Sequence, residues 1–158
     1  MRYLFKAVPL FLAAFALLPP GAEAQFYSSV GGGLARPVGG ELKDNYGAGF
    51  TFRGQAGFSL AVADVHLQAG WTTFSVSDDR QDTSVEDRFD LYHVAAGGRV
   101  SLGFFWIGAN AAHFFGDGKK GGGLIPEVGF RVGPIEGVAD GRLDGNEKWV
   151  SARVNFRF

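Results

Sequence analysis

The sequence has no cysteine and only one methionine. Without cysteine there is no disulfide framework, so an exported chain of this kind must be held by burial or by its solvent. Helical periodicity is missing as well: beyond the first two dozen residues, apolar side chains recur at every second position and not at three and four. Charge of one sign is also lacking, with 15 Lys and Arg against 16 Asp and Glu, which excludes the basic footprint of a nucleic-acid binder. In place of these the chain has 25 glycines and 16 phenylalanines. Glycine weakens helices and aromatics suit a pleated surface, so the chain reads as all-β.

At the front, Arg2 and Lys6 precede an apolar run from Ala7 to Leu18, followed by Pro19, Pro20, Gly21 and Ala22-Glu23-Ala24. This is the layout of a secretory signal peptide with an A-x-A cleavage site. The run falls short of the roughly 20 residues that a membrane-spanning helix needs. Residues 1–24 are therefore expected to be removed, leaving a single domain over 25–158. Cleavage takes two cations and one acid, moving the formal charge from −1 to −2.

Eight period-two segments follow. Near 26–35, Phe26, Val30 and Leu34 oppose Ser29, Gly31 and Gly33. Near 46–60, Tyr46, Ala48, Phe50, Phe52, Ala56, Phe58 and Leu60 oppose Thr51, Arg53, Gln55 and Ser59. Near 64–74, Val65, Leu67, Ala69 and Trp71 oppose His66, Gln68 and Thr72, and near 89–102, Tyr92, Val94, Ala96, Val100 and Leu102 oppose His93, Gly97, Arg99 and Ser101. Segment 104–115 has aromatics on both parities; Gly108 and Asn110 favour Phe105, Ile107, Ala109 and Ala111 as its apolar face. Near 124–133, Val128, Phe130 and Val132 oppose Glu127, Gly129 and Arg131, and near 135–143, Ile135, Ala139 and Leu143 oppose Glu136, Asp140 and Arg142. In the last segment Val150, Ala152, Val154, Phe156 and Phe158 alternate with Ser151, Arg153, Asn155 and Arg157.

Links between segments alternate in length. Turn-rich pieces follow the odd segments, and tight turns around Ala61–Ala63, Gly103 and Pro134 follow the even ones. Short turns at one end and long loops at the other is the layout of an up-and-down transmembrane β-barrel. Alternation alone also fits a soluble lipocalin-like carrier with its apolar parity turned inward. The polar parity separates the two. It holds Arg53, Arg99, Arg131, Arg142, Arg153 and Arg157 with Glu127, Glu136 and Asp140, and almost no lysine. Arginine forks and carboxylates satisfy each other in a crowded interior, whereas a soluble surface shows mixed rows of Lys and Glu. These nine residues are the expected charge network of a filled polar lumen.

The segment 25–158 resembles the small eight-stranded outer-membrane β-barrels of Gram-negative bacteria, the class of the OmpA transmembrane domain, OmpX and OmpW. The resemblance implies that Val150, Ala152, Val154, Phe156 and Phe158 form the C-terminal signal read by the barrel-assembly machinery. It also implies a monomer in contact with outer-membrane lipid and lipopolysaccharide, without a cofactor, whose role is structural or lies in surface contacts through four loops.

Other chemistries leave weaker traces. Some barrels of this size act on lipopolysaccharide, but His66, His93 and His113 lack the His-x-Ser pair of the deacylase family and any H-x-x-x-H metal spacing. His66 and His93 share the polar parity and read as hydrogen-bonding partners in the lumen. The acidic link 75–90, with Asp78, Asp79, Asp82, Glu86, Asp87 and Asp90 against Arg80 and Arg88, has oxygen ligands for a divalent ion but no EF-hand order; it reads as a solvated loop. GDGKKGGG lacks the phosphate-loop pattern and reads as a hairpin tip presenting Lys119 and Lys120. A narrow or gated channel is a further alternative, although an eight-stranded interior is just wide enough for side chains to fill.

Overall fold

The computed structural model describes residues 24–78, 86–117 and 120–158. All but the last residue of the expected signal peptide lies outside them, as do Asp79, Arg80, Asp82 and Lys119. Among the described residues the strands are β1 (Gln25–Gly39), β2 (Tyr46–Leu60), β3 (Ala63–Val76), β4 (Arg88–Leu102), β5 (Phe105–Gly116), β6 (Gly121–Val132), β7 (Ile135–Arg142) and β8 (Lys148–Arg157). Each pairs antiparallel with the next, and β1 pairs with β8 to close the barrel. Closure leaves no strand edge unpaired, the condition for a sheet to stand in lipid.

The turns after β2, β4 and β6 are two residues long. Gly103 and Gly133 supply the positive φ, 74° and 60°, that opens two of them. The longer links gather at the opposite end. One contains a helix, α1 (Glu41–Asn45), where the sequence pattern predicts none; five residues are too few to display a 3.6-residue period. Its Leu42 is buried.

The apolar parity points outward. Phe26, Leu34, Phe50, Phe52, Leu67, Val94, Val128, Phe130, Val154 and Phe156 are all exposed, Phe50 to 64% and Leu67 to 66%. The polar parity points in, so the arrangement is the inverse of a lipocalin. On the ambiguous segment, Phe105 and Ile107 face out while Trp106, Asn110 and Phe114 are buried, the orientation expected.

Two positions depart from the alternation. Tyr46 is half-buried against inward side chains, because the β2–β3 register shifts between Tyr46 and Gly49 and an irregular step re-aims the side chains beyond it. Leu60 is buried at the last residue of β2, beside the turn. The lumen also differs from a uniformly polar filling. Its loop end is an apolar plug of Leu42, Phe74, Leu91, Phe114, Ile125 and Trp149, with Tyr46 and Phe89 packed against it. These inward aromatics and aliphatics sit on the otherwise polar parity.

The β1–β8 seam sets how closely the barrel closes. A Cβ on Gly33 would overlap the carbonyl oxygen of Ala152 and the backbone of Arg153, whereas one on Gly54 meets nothing within 4 Å. Overpacking of this kind costs about 1–3 kcal/mol or more. Gly33→Val is expected to lower the unfolding free energy of the refolded barrel by that amount, and so to lower its urea midpoint, and Gly54→Ala to leave the midpoint in place. Equal midpoints for the two variants would show that the seam is not tightly fitted.

Candidate functional site

Below the plug the lumen holds a continuous chain of charges. Arg53 on β2 meets Asp140 on β7 at 2.5 Å. Asp140 also meets Arg153 on β8 at 2.9 Å, and Arg153 reaches Glu127 on β6 at 3.4 Å. Glu127 accepts from Arg99 on β4 at 3.0 Å, Arg99 reaches Glu136 on β7 at 3.3 Å, and Glu136 meets Arg157 at 3.3 Å. Arg157 ends the series on Asp64 of β3 at 2.9 Å. Sign alternates at every step, and four guanidinium groups face four carboxylates. Several links join strands that are not neighbours, so the chain ties opposite walls together.

Such a series solves the problem of burying ions. One unpaired charge in a low-dielectric interior costs several kcal/mol, and each inner member here has an opposite charge on both sides. The end members are held by other means. Asp64 accepts from the Ser59 hydroxyl at 2.6 Å, and Arg53 lies over the Trp149 ring at 5.3 Å. Further contacts fix the guanidinium planes. Arg99 donates to Gln55 Oε1 at 2.6 Å and lies 4.1 Å over Trp106, Arg157 lies 3.6 Å over Tyr27, and the Ser151 hydroxyl donates to Asp140. Trp106 has room because Gly129 faces it: a Cβ there would strike the indole.

Seven of the nine expected network residues stand in this chain: Arg53, Arg99, Glu127, Glu136, Asp140, Arg153 and Arg157. Arg142 lies apart, near the loop end, where it pairs with Glu147 at 2.8 Å and Asp144 at 3.4 Å and lies 4.2 Å over Phe114. Arg131 is half-buried near the short turns and makes no ion pair among the described residues. Its backbone N–H donates to Phe104 O at 2.8 Å. The alternation correctly turns Arg131 inward, but beside a turn the side chain can reach water and needs no partner. Asp64 is the one member of the chain outside those nine. It stands first in the segment 64–74, beside the turn, and its parity, shared with His66, is the signal that finds it.

The histidines divide between the two faces. His66 Nε2 and Asn110 Oδ1 are 2.7 Å apart, and Gln68 Nε2 and His93 Nε2 are 3.1 Å apart, all four residues being buried. His66 Nε2 also lies 3.7 Å from Glu127 Oε1, but neither ring meets a serine among the described residues, so no hydroxyl nucleophile stands beside either. His113 faces outward. Among the described residues no group of three His, Cys, Asp or Glu is placed to hold a metal ion. Of the acidic link, Asp90 accepts from Arg88 and from Trp71 Nε1, the latter at 3.1 Å. Lys120 is exposed.

Val150, Ala152, Val154, Phe156 and Phe158 all face outward on or just beyond β8. Phe158 is tied to β1 by two backbone bonds, donating to Ser28 O at 2.8 Å and accepting from Ser28 N at 3.1 Å.

Glu127→Leu would leave Arg99 and Arg153 sharing one carboxylate fewer, and breaking a buried pair costs about 3–5 kcal/mol. Urea unfolding of the refolded barrel should register that loss, while Arg131→Gln should stay within about 0.5 kcal/mol of the parent. Indifference to Glu127→Leu would remove the charge chain from the list of stabilising features.

No protein-family model matches the chain, and none of the curated proteins matches it in sequence. Among solved structures, the crystal structure of Neisserial surface protein A (NspA) is similar, with a TM-score of 0.53, covering 85% of this chain and 97% of that one at 17% identity. At this identity the likeness is one of fold: a closed, eight-stranded, antiparallel up-and-down barrel.

Proposed function

We propose that the protein is an integral outer-membrane β-barrel, exported through a signal peptide over residues 1–24 and inserted by the barrel-assembly machinery. Its role is structural or lies in surface contacts made by the loop-bearing end. The observation that carries this reading is the inversion of the faces: large apolar side chains cover the outer wall, while the ions are consumed inside. No soluble surface is built this way, since a contiguous apolar wall of this extent would associate in water.

The outer wall has the banding of a lipid-facing surface. Near the short turns stand Phe26, Phe58, Phe105, Phe130 and Phe156, and towards the loops Trp71, Tyr92 and Phe115, the last two stacked at 5.8 Å. Aromatic girdles of this kind mark the two interfaces of a transmembrane barrel. The fold likeness to Neisserial surface protein A supports the same placement. A lumen occupied by the ion chain and the apolar plug speaks against diffusion of solutes through it, and histidines paired with amides speak against lipid hydrolysis.

Gel mobility of the membrane fraction, unheated against boiled in detergent, tests the reading, because a closed barrel migrates as a compact species until heat opens it. The full chain should sediment with the outer membrane and shift on boiling. Deletion of Phe158 should sharply reduce the heat-shifting species if the outward alternation Val150, Ala152, Val154, Phe156, Phe158 is the assembly signal. A soluble periplasmic protein with no shift would overturn the membrane reading, and equal levels of truncated and full-length barrel would overturn the assembly role.

A further inference from the structure

The outer wall is not evenly covered. Where β6, β7, β8 and β1 run side by side, one row of outward side chains reads Val128, Ala139, Ala152, Leu34. Large residues flank two small ones, leaving a groove along the β7–β8 seam with a volume of about 690 Å³. Nearer the short turns, the phenyl ring of Phe130 lies over Gly137. At the loop end the row continues through Gly141 and Val150 to Arg36 on β1. Lys148, which pairs with Gly39 on β1, lies two residues beyond Val150. Arg36 is exposed, and neither cation has an ion-pair partner among the described residues; the nearby acids Asp144 and Glu147 are engaged by Arg142.

An apolar channel with Arg36 on its rim and Lys148 just beyond that rim, neither ion-paired among the described residues, matches one kind of occupant. We infer that the groove holds an acyl chain of a phosphate-bearing lipid of the surrounding bilayer, with the phosphate set against Arg36 and Lys148. This rests on the outer-membrane reading above and adds a specific lipid site to it. The apolar floor cannot select a lipid by itself, since lipid tails are as apolar as the wall they touch. It sets the position of the chain, and discrimination comes from the cations. Arginine and lysine standing at the height of the headgroups are complementary to phosphate and indifferent to a neutral headgroup.

The test is native mass spectrometry of the folded full chain, released from micelles doped with phosphatidylglycerol or with phosphatidylcholine of identical chains. One retained phosphatidylglycerol is expected, preferred by about fivefold for each cation, the gain of one basic side chain at an anionic lipid surface. R36Q combined with K148Q should abolish the preference without altering the heat-dependent gel shift, because both side chains lie outside the ion chain. Ala152→Phe, which fills the groove, should reduce retention of both lipids. Equal retention of the two lipids by the parent, or an unchanged preference in the double variant, would overturn the proposal. So would a stable dimer that excludes lipid, which would give this face to a second copy. A chain that fails to enter micelles or bilayers would instead defeat the outer-membrane reading on which the site depends.

Discussion

The structure depends on an alternating line of buried charge. Asp140, Arg153, Glu127, Arg99, Glu136 and Arg157 each stand between two groups of opposite sign, with Arg53 and Asp64 at the ends. A barrel whose outer wall is apolar has no other place for these ions. Once inside, they must neutralise one another, because an unpaired buried ion costs several kcal/mol. Equal numbers arranged in one line neutralise one another along the chain, and the links between non-adjacent strands make the walls interdependent. Arginine suits this role better than lysine, since each planar fork can serve two carboxylates and still lie flat on an aromatic face. Arg99 does both, between Glu127 and Glu136 and over Trp106.

The lumen has two parts with different physics. The charge chain occupies the part nearer the short turns, and the plug around Phe74, Phe114 and Trp149 closes the loop end. Trp149 belongs to both, packed in the plug with Arg53 over its ring. Helix α1 lends Leu42 to the plug, and the Asn45 carbonyl at its end accepts from Ser77 N at 2.9 Å. The first long link is thereby fastened both to the lumen and to the second link. The first link, held in this way, offers a defined surface for contacts.

Most of the fold was legible because a barrel writes itself into period two. Segment 46–60 matches β2 residue for residue, and the alternation of long and short links gave the up-and-down order. What could not be read follows from the same rule. Alternation says that a residue faces in, but not what it meets there: Arg131 and Arg142 share the inward parity of a network that neither joins. Asp64 was overlooked for the complementary reason: a lone acid beside a turn gives no sign of a partner on β8. The apolar plug was hidden because inward Phe74, Phe114 and Trp149 look, in sequence, like breaks in the polar parity. Tyr46 was misplaced by a register shift that no propensity announces.

The central claim is that one face of every strand meets lipid and the other meets a filled, ion-paired lumen. The absence of cysteine allows a clean test by single-cysteine spin labelling along β5, whose two faces are the hardest to tell apart in sequence. With the chain refolded in lipid vesicles, labels at Ile107, Ala109 and Ala111 should collide freely with oxygen and hardly at all with a water-soluble nickel reagent. Unlabelled cysteines at the buried positions Asn110 and Ala112, small enough to be accommodated there, should resist a thiol reagent supplied from either phase. The reverse pattern, with the nickel reagent reaching Ile107, Ala109 and Ala111, would place those side chains in water and contradict the account.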